Sequence, residues 1–272
     1  MRRLMNLEPG RGGRWLLALL PFLLLLVVYT SASLERRAAN PDDKLLPPIS
    51  EMSATMQRLA FEPDRRTGEL TFWQDNAASL QRLGYGLAIA TVIGLVLGLA
   101  IGMLPVVNAA FAPLMAVLSM VPPMAVLPIL FIVFGLGELS KVVLIVIGIA
   151  PCLVRDLALK IGALPREQLV KAQTLGGSTW LTAIRVVLPQ AMPRLIESLR
   201  LMLGPAFLFL ISAEAISAEN GLGYRIFLVR RYLSMDTILP YVAWITLLAY
   251  LMDYALLRLS RWGFPWAHEE KA

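Results

Sequence analysis

Thiols and imidazoles are almost absent from this chain of 272 residues, which has one cysteine, Cys152, and one histidine, His268. A single thiol excludes an intrachain disulfide framework, and neither residue has the company that a zinc site needs. Cys152 lies in an apolar run and reads as a small buried hydrophobe. His268 follows the last apolar run and reads as incidental. Charge is scarce too, at 16% of residues, against about 25% in an ordinary soluble domain. There is no GxxxxGK[ST] motif, so the chain does not bind ATP through a P-loop, and no HExxH or GxSxG supports hydrolase chemistry. The net charge of +6 would suit a nucleic-acid partner. No basic stripe interleaved with exposed aromatics accompanies it, and cations flanking apolar runs are what the positive-inside rule expects. No nucleic acid is expected as a partner.

What is present is hydrocarbon. Apolar residues make up 57% of the chain and the mean hydropathy is +0.66, so long runs decide the class: an all-α polytopic membrane protein. Residues 15–32 form an unbroken apolar run after Arg2, Arg3, Arg11 and Arg14. Ser31-Ala32-Ser33 resembles a cleavage site, but the run exceeds the roughly 7–15 residues of a signal-peptide core, so an uncleaved first span is expected. Residues 34–78 are a polar excursion. Within it Ile49, Met52, Met56, Leu59 and Ala60 follow a helical period and predict a short amphipathic helix over 49–61.

The second span is expected over 80–104. There Gly94, Gly98 and Gly102 fall on one face and allow close helix approach. The third, 109–134, is interrupted at Val121-Pro122-Pro123, with Pro128 following. Such a break is tolerated in a membrane only where protein or a water-filled cavity satisfies the backbone. Ser119, Pro122, Pro123 and Pro128 are therefore candidates for the lining of a translocation path, the alternative being a kink of purely architectural purpose. Further spans are expected over 142–157, 195–216 and 238–259. Six spans put both termini and the 158–193 loop on one side, and the arginines and lysines around them, Lys160, Arg166, Lys171, Arg185 and Arg194 included, make that side cytoplasmic.

The 158–193 loop is the most informative segment. A short helix around 165–177 is expected to stop at Gly176. Gly177-Ser178 can cap a second helix that starts near Thr179 or Trp180, presents Leu181, Ile184 and Leu188 on one face, and is ended by Pro189 and Pro193. A polytopic membrane protein has little reason to keep such a unit unless something docks there.

Acids in or beside apolar runs are costly to bury. Glu214, at the outer end of the fifth span, is the best functional candidate. It could face a polar cavity, set the geometry of an external gate, or pair with Arg225 or Arg230 across the 217–237 loop. Asp253 has Arg258 or Arg200 as partners, and Glu197 and Arg200 lie one turn apart.

The loop resembles the cytoplasmic motif of importer permeases of the ATP-binding-cassette class: Glu-Ala-Ala, three residues, Gly, nine residues, Ile-x-Leu-Pro. Ala172, Gly176, Val186, Leu188 and Pro189 match it with the spacing from glycine to Leu-Pro intact. Val170 and Lys171 depart from it, and Glu167 is the nearby carboxylate. Ser79-Leu80-x-Arg82, Pro122-Pro123 through Phe134-Gly135-x-Gly137, Ala213-Glu214 with Gly221-Leu222-Gly223, and then Asp253 and Trp266 extend the resemblance over 79–266, toward the nitrate/sulfonate/taurine type.

The resemblance implies the type I importer architecture of six transmembrane helices. Residues 1–33 would be a cytoplasmic N-terminus and first span, 34–78 an external segment, 79–260 the permease core with five spans and the coupling loop, and 261–272 a cytoplasmic tail. It also implies a bacterial inner-membrane location, a second permease chain (a homodimer), two ATPase subunits that bind the ATP and Mg, an external solute-binding protein, and no cofactor on this chain. Glu167, Lys171, Ala172, Thr174, Leu175, Gly176, Leu188 and Pro189 would form the ATPase-coupling loop. The cargo expected is a small polar solute, sulfonate-, taurine- or nitrate-like or a small nitrogenous compound. An ion-coupled carrier would need an acid or histidine relay and commonly an inverted repeat. A non-transporting scaffold leaves the loop spacing unexplained.

Overall fold

The computed structural model describes residues 10–40, 43–64 and 68–268. Arg2, Arg3 and the tail beyond residue 268 lie outside that set. Among the described residues the secondary structure is helical: α1 (Arg11–Ala39), α2 (Ile49–Phe61), α3 (Thr71–Met103), α4 (Pro105–Leu118), α5 (Pro123–Phe134), α6 (Glu138–Gly162), α7 (Arg166–Thr174), α8 (Thr179–Thr182), a π turn (Ala183–Val187), α9 (Leu188–Ser217), α10 (Leu222–Arg230) and α11 (Met235–Gly263). Five helical stretches are long and apolar enough to cross a membrane, and α4 with α5, bent by 93° at their break, can make a sixth crossing.

The centre of the bundle is α6, on which Leu144, Ile145, Ile149, Leu153 and Leu157 are fully buried. Its closest neighbour is α3, and glycine makes that closeness possible. A Cβ on Gly94 would stand 3.0 Å from Leu153, one on Gly98 3.0 Å from Leu157, and one on Gly102 2.7 Å from Ile161. The two stripes advance together along both helices, so α3 and α6 run parallel, with α4 and α5 as the return crossing. Small residues facing branched ones substitute van der Waals contact for a hydrophobic drive that lipid does not supply.

At about 1.5 Å per residue, α3 is roughly 50 Å long, well beyond a hydrocarbon core of about 30 Å. It therefore begins at Thr71, before the apolar run, and its polar first turns carry Asp75, Asn76 and Ser79 into the interior at the end of the bundle where α10 lies. There Phe72 sits edge-on to Trp73, Tyr241 and Trp244, and Trp244 Nε1 donates to Asn76 Oδ1 at 2.5 Å. The amphipathic helix expected over 49–61 is α2, which packs on α11 and α3 and is tied to α11 by Thr55 Oγ1 donating to Asp236 Oδ2 (2.8 Å).

Over residues 15–28 α1 is exposed; only its far end is pinned, by Tyr29 to the Pro47 carbonyl (2.6 Å), Ser33 to the Leu46 carbonyl (2.7 Å), and ion pairs Arg36–Asp43 and Arg37–Glu51. The Arg36 guanidinium holds the Asp43 carboxyl below the usual carboxylate range.

One expectation of the sequence is corrected here. Pro189 and Pro193 do not end a helix before a separate fifth span. The helix runs on through both as α9, because Pro189 occupies its first turn, where the missing N–H has no intrahelical partner to lose, and the π turn before it absorbs the misfit.

Candidate functional site

The segment between α6 and α9 stands at the end of the bundle opposite α10. In α7 no residue is buried, and Glu167, Lys171, Thr174, Leu175 and Gly176 are all exposed. Leu175 exposes 80% of its surface and Trp180 74%. The turn between α7 and α8 needs both glycines, for different reasons. Gly176 has φ +80°, a region that β-branched residues avoid. Gly177 donates its N–H to the Ala172 carbonyl at 3.0 Å, and a Cβ there would meet that oxygen at 2.7 Å. Ser178 then caps α8 by accepting from Leu181 N (3.2 Å).

The exposed unit has a firm root. Leu164 and Val187 are buried beside Leu157, Ile161, Ala191 and Leu195, with Leu169 of α7 packed against them. Gln190 Nε2 donates to Gln168 Oε1 at 3.0 Å, joining α9 to α7. The sequence-derived set thus divides. Glu167, Lys171, Thr174, Leu175 and Gly176 form the outward tip. Ala172, Leu188 and Pro189 are half-buried, Ala172 as the carbonyl that closes the turn and the other two at the α9 root. Trp180 enters the sequence reading only as a possible helix start; here α8, with Ile184 and Leu188, walls a cavity of about 570 Å³ against Leu95 and Leu99 of α3.

The proposed path segment covers the α4–α5 break and the first half of α5. Ser119 and Pro123 are half-buried, and Pro122 and Pro128 are exposed. The break faces α6: Arg155 Nη1 donates to Ser119 Oγ at 3.2 Å.

Glu214 is elsewhere, fully buried at the α10 end and not on that segment. Its carboxylate accepts from Arg82 Nη1 (2.7 Å), Ser79 Oγ (2.8 Å) and Gly223 N (2.9 Å). The pairing with Arg225 or Arg230 considered from sequence does not form. Arg225 instead donates to Asp75 (2.8 Å), which also accepts from Gly221 N (2.9 Å) and Tyr241 Oη (3.2 Å). Arg82 is satisfied further by Glu138 and by the Asn220 carbonyl (2.8 Å) and side chain (2.6 Å). Every group in this joint has a partner, so it clamps the turn after α9 to α3 and α6. Arg82 and Asp75 could have been found as ionisable residues in or just before an apolar run.

A long apolar bundle with a braced polar helix on one end has the form of a membrane permease, and comparison with known proteins gives its kind. A family model described as the inner-membrane component of binding-protein-dependent transport systems matches residues 90–262. The chain is 36% identical over 202 residues to the taurine transport system permease protein TauC of Escherichia coli (strain K12), covering 74% of this chain and 73% of that one. It is 30% identical over 193 residues to the bicarbonate transport system permease protein CmpB of Synechococcus elongatus, covering 70% and 69%. To the nitrate import permease protein NrtB of the same species it is 27% identical over 207 residues, covering 75% and 74%. Among solved structures, the MetNI methionine ABC transporter in an inward-facing conformation aligns with a TM-score of 0.56 at 20% identity, over 70% of this chain and 92% of that one, which shows a shared fold. The chain belongs to the family of binding-protein-dependent transport inner-membrane components and is the permease subunit of an ATP-binding-cassette importer.

Proposed function

We propose that two copies of this chain pair to enclose a path for a small polar solute related to taurine, nitrate or bicarbonate, the cargoes named for its relatives. An external binding protein delivers the solute at the α10 end. Two ATPase subunits, which hold the ATP and Mg, dock at the α7 end on the cytoplasmic side, where both termini also lie. The observation that carries this reading is the contrast within one short segment: α7 buries nothing at its tip, yet its root is fixed by Leu164, Leu169, Val187 and the Gln168–Gln190 bond.

A helix exposed to a partner and rigid toward its own bundle transmits displacement as a unit. Movement of the ATPase pair acts on Leu175 and its neighbours, and the root passes it to α6 and α9, which lead directly from the loop into the bundle. The α4–α5 break, held to α6 through Ser119 and Arg155, lies on the wall that those helices move.

The test is reconstitution with an ATPase subunit and a solute-binding protein from the same organism. ATP-dependent accumulation of taurine, nitrate or bicarbonate, stimulated by the loaded binding protein, is the expected result. A chain that purifies without any ATPase partner and shows no nucleotide-dependent uptake would falsify the reading.

A further inference from the structure

Several cations of the spanning helices are matched to carboxylates. Arg82 meets Glu214, Lys141 meets Glu138, Lys160 meets Asp156, and Arg200 meets Asp253. Arg155 of α6 meets no carboxylate among the described residues; its one hydrogen-bond partner is the Ser119 hydroxyl, which itself donates to the Ala116 carbonyl at 2.8 Å. Ser119 thereby offers its lone pair to the guanidinium and leaves most of the five N–H donors uncommitted.

The surroundings are a cavity of about 530 Å³, lined by Arg155, Asn108, Ile101, Met115 and Val154. That volume falls in the range of about 300–1,000 Å³ usual for small-molecule sites, and a few polar groups in an apolar wall are also usual there. Asn108 donates through Nδ2 to the Ile101 carbonyl (3.0 Å), which leaves its amide oxygen as a second polar contact.

An arginine without a carboxylate within a spanning helix is expensive unless it faces a water-filled cavity. Arg155 is exposed toward the space between α4 and α6. A planar guanidinium presents parallel N–H donors that match the oxygens of a carboxylate or sulfonate better than an ammonium does.

We propose that Arg155, steadied by Ser119, contacts the anionic group of the solute in the α4–α6 cavity and so helps to select an oxyanion cargo. The proposal rests on the importer reading above. A phosphate of an anionic lipid offers the same chemistry, and the experiment separates the two sources.

The full complex is reconstituted in phosphatidylcholine vesicles with and without phosphatidylglycerol, and uptake of labelled taurine, bicarbonate and nitrate is measured per ATP hydrolysed. For whichever probe the wild type accumulates, Arg155→Gln is expected to lower that ratio at least tenfold in both lipids. Arg155→Lys, which keeps the charge and loses the fork, should fall between. Wild-type ratios in the glutamine variant overturn the proposal, as does a loss confined to vesicles containing phosphatidylglycerol. If Arg155→Gln does not assemble, the lysine variant carries the test: a several-fold loss is expected, and an unchanged ratio overturns it. A wild type that is stimulated by a loaded binding protein but moves none of the three probes overturns the oxyanion class alone. A wild type that shows no binding-protein-stimulated ATP hydrolysis removes the importer reading, and this proposal with it.

Discussion

Arg82 Nη1 and Glu214 Oε1, 132 residues apart in the chain, meet at 2.7 Å with both side chains buried. Because Arg82 also holds Glu138 and Asn220, one guanidinium fastens α3 to the start of α6, the end of α9 and the turn that follows. Removing one partner of a buried pair leaves an uncompensated charge, at a cost of about 3–5 kcal/mol.

Glu138 remains on Arg82 when Glu214 is changed, so Glu214→Ala is expected near the lower end, about 3 kcal/mol. That corresponds to a fall of roughly 6–12 °C in the midpoint of thermal unfolding in detergent. Glu214→Gln keeps an acceptor for Ser79 and the Gly223 N–H and should lose less. An alanine variant that melts with the wild type would show that the joint does not hold the turn.

The α3–α6 contact predicts opposite outcomes for two glycines on the same helix. A Cβ on Gly102 would lie 2.7 Å from Ile161 Cβ and 3.0 Å from the Ala158 carbonyl, where neither neighbour is a flexible tip. Gly102→Ala should cost about 1–3 kcal/mol by overpacking. A Cβ on Gly84 meets nothing within 4 Å, so Gly84→Ala should gain about 0.5–1 kcal/mol from helix propensity alone. Heating the two variants side by side checks the sign difference, and a shared sign refutes the packing account.

At the α7 tip, Leu175→Asp removes an exposed apolar contact without touching the core. Co-purification of the ATPase should fall at least tenfold, a loss of about 1.4 kcal/mol, while the melting temperature of the isolated chain stays put. Gly176→Val forces a β-branched residue to φ +80°, a strain of about 1–2 kcal/mol. It should uncouple hydrolysis from uptake even where some ATPase still binds. Full docking by Leu175→Asp would move the contact elsewhere on the loop.

Much of this was legible in the residues. Apolar runs are read by length alone, and the 49–61 helix by its period, because both signals are local. The helix break at Pro122-Pro123 follows from missing N–H groups, which is also local. What escaped was set by partners far away in the chain. Nothing near Glu214 announces Arg82, since Arg225 is closer in sequence. The start of α3 at Thr71 was hidden because its polar first turns are buried by α10 and α11 and not by lipid. The path of α9 through Pro189 and Pro193 was misread because a proline in a first turn and a proline that stops a helix look alike without the preceding π turn.

Of the two partners that the sequence offered Asp253, Arg258 and Arg200, the structure takes the distant one, and the pair supplies an energetic test. Arg258, nearer in sequence, turns to Tyr254 (2.8 Å). Arg200 reaches across from α9 with Nε and Nη2 on the two Asp253 oxygens at 2.7 and 2.8 Å, a parallel fork. On α11 only Thr237, Tyr241, Ile245 and Ser260 are buried, so the fork is a principal tie of this helix to the bundle. The pair itself is part-exposed, at 26% and 37% of the side chains, toward a surface that would be lipid or a second chain. Either single change, Arg200→Leu or Asp253→Leu, strands a charge there and should cost about 2.5–3.5 kcal/mol on the insertion scale for such residues. The double Leu variant strands none and should recover most of that loss, because a well-packed apolar pair commonly matches an ion pair. A double-mutant cycle on thermal midpoints in one detergent measures the coupling. Single losses that simply add would mean that the two residues act independently and that α11 is held by packing alone.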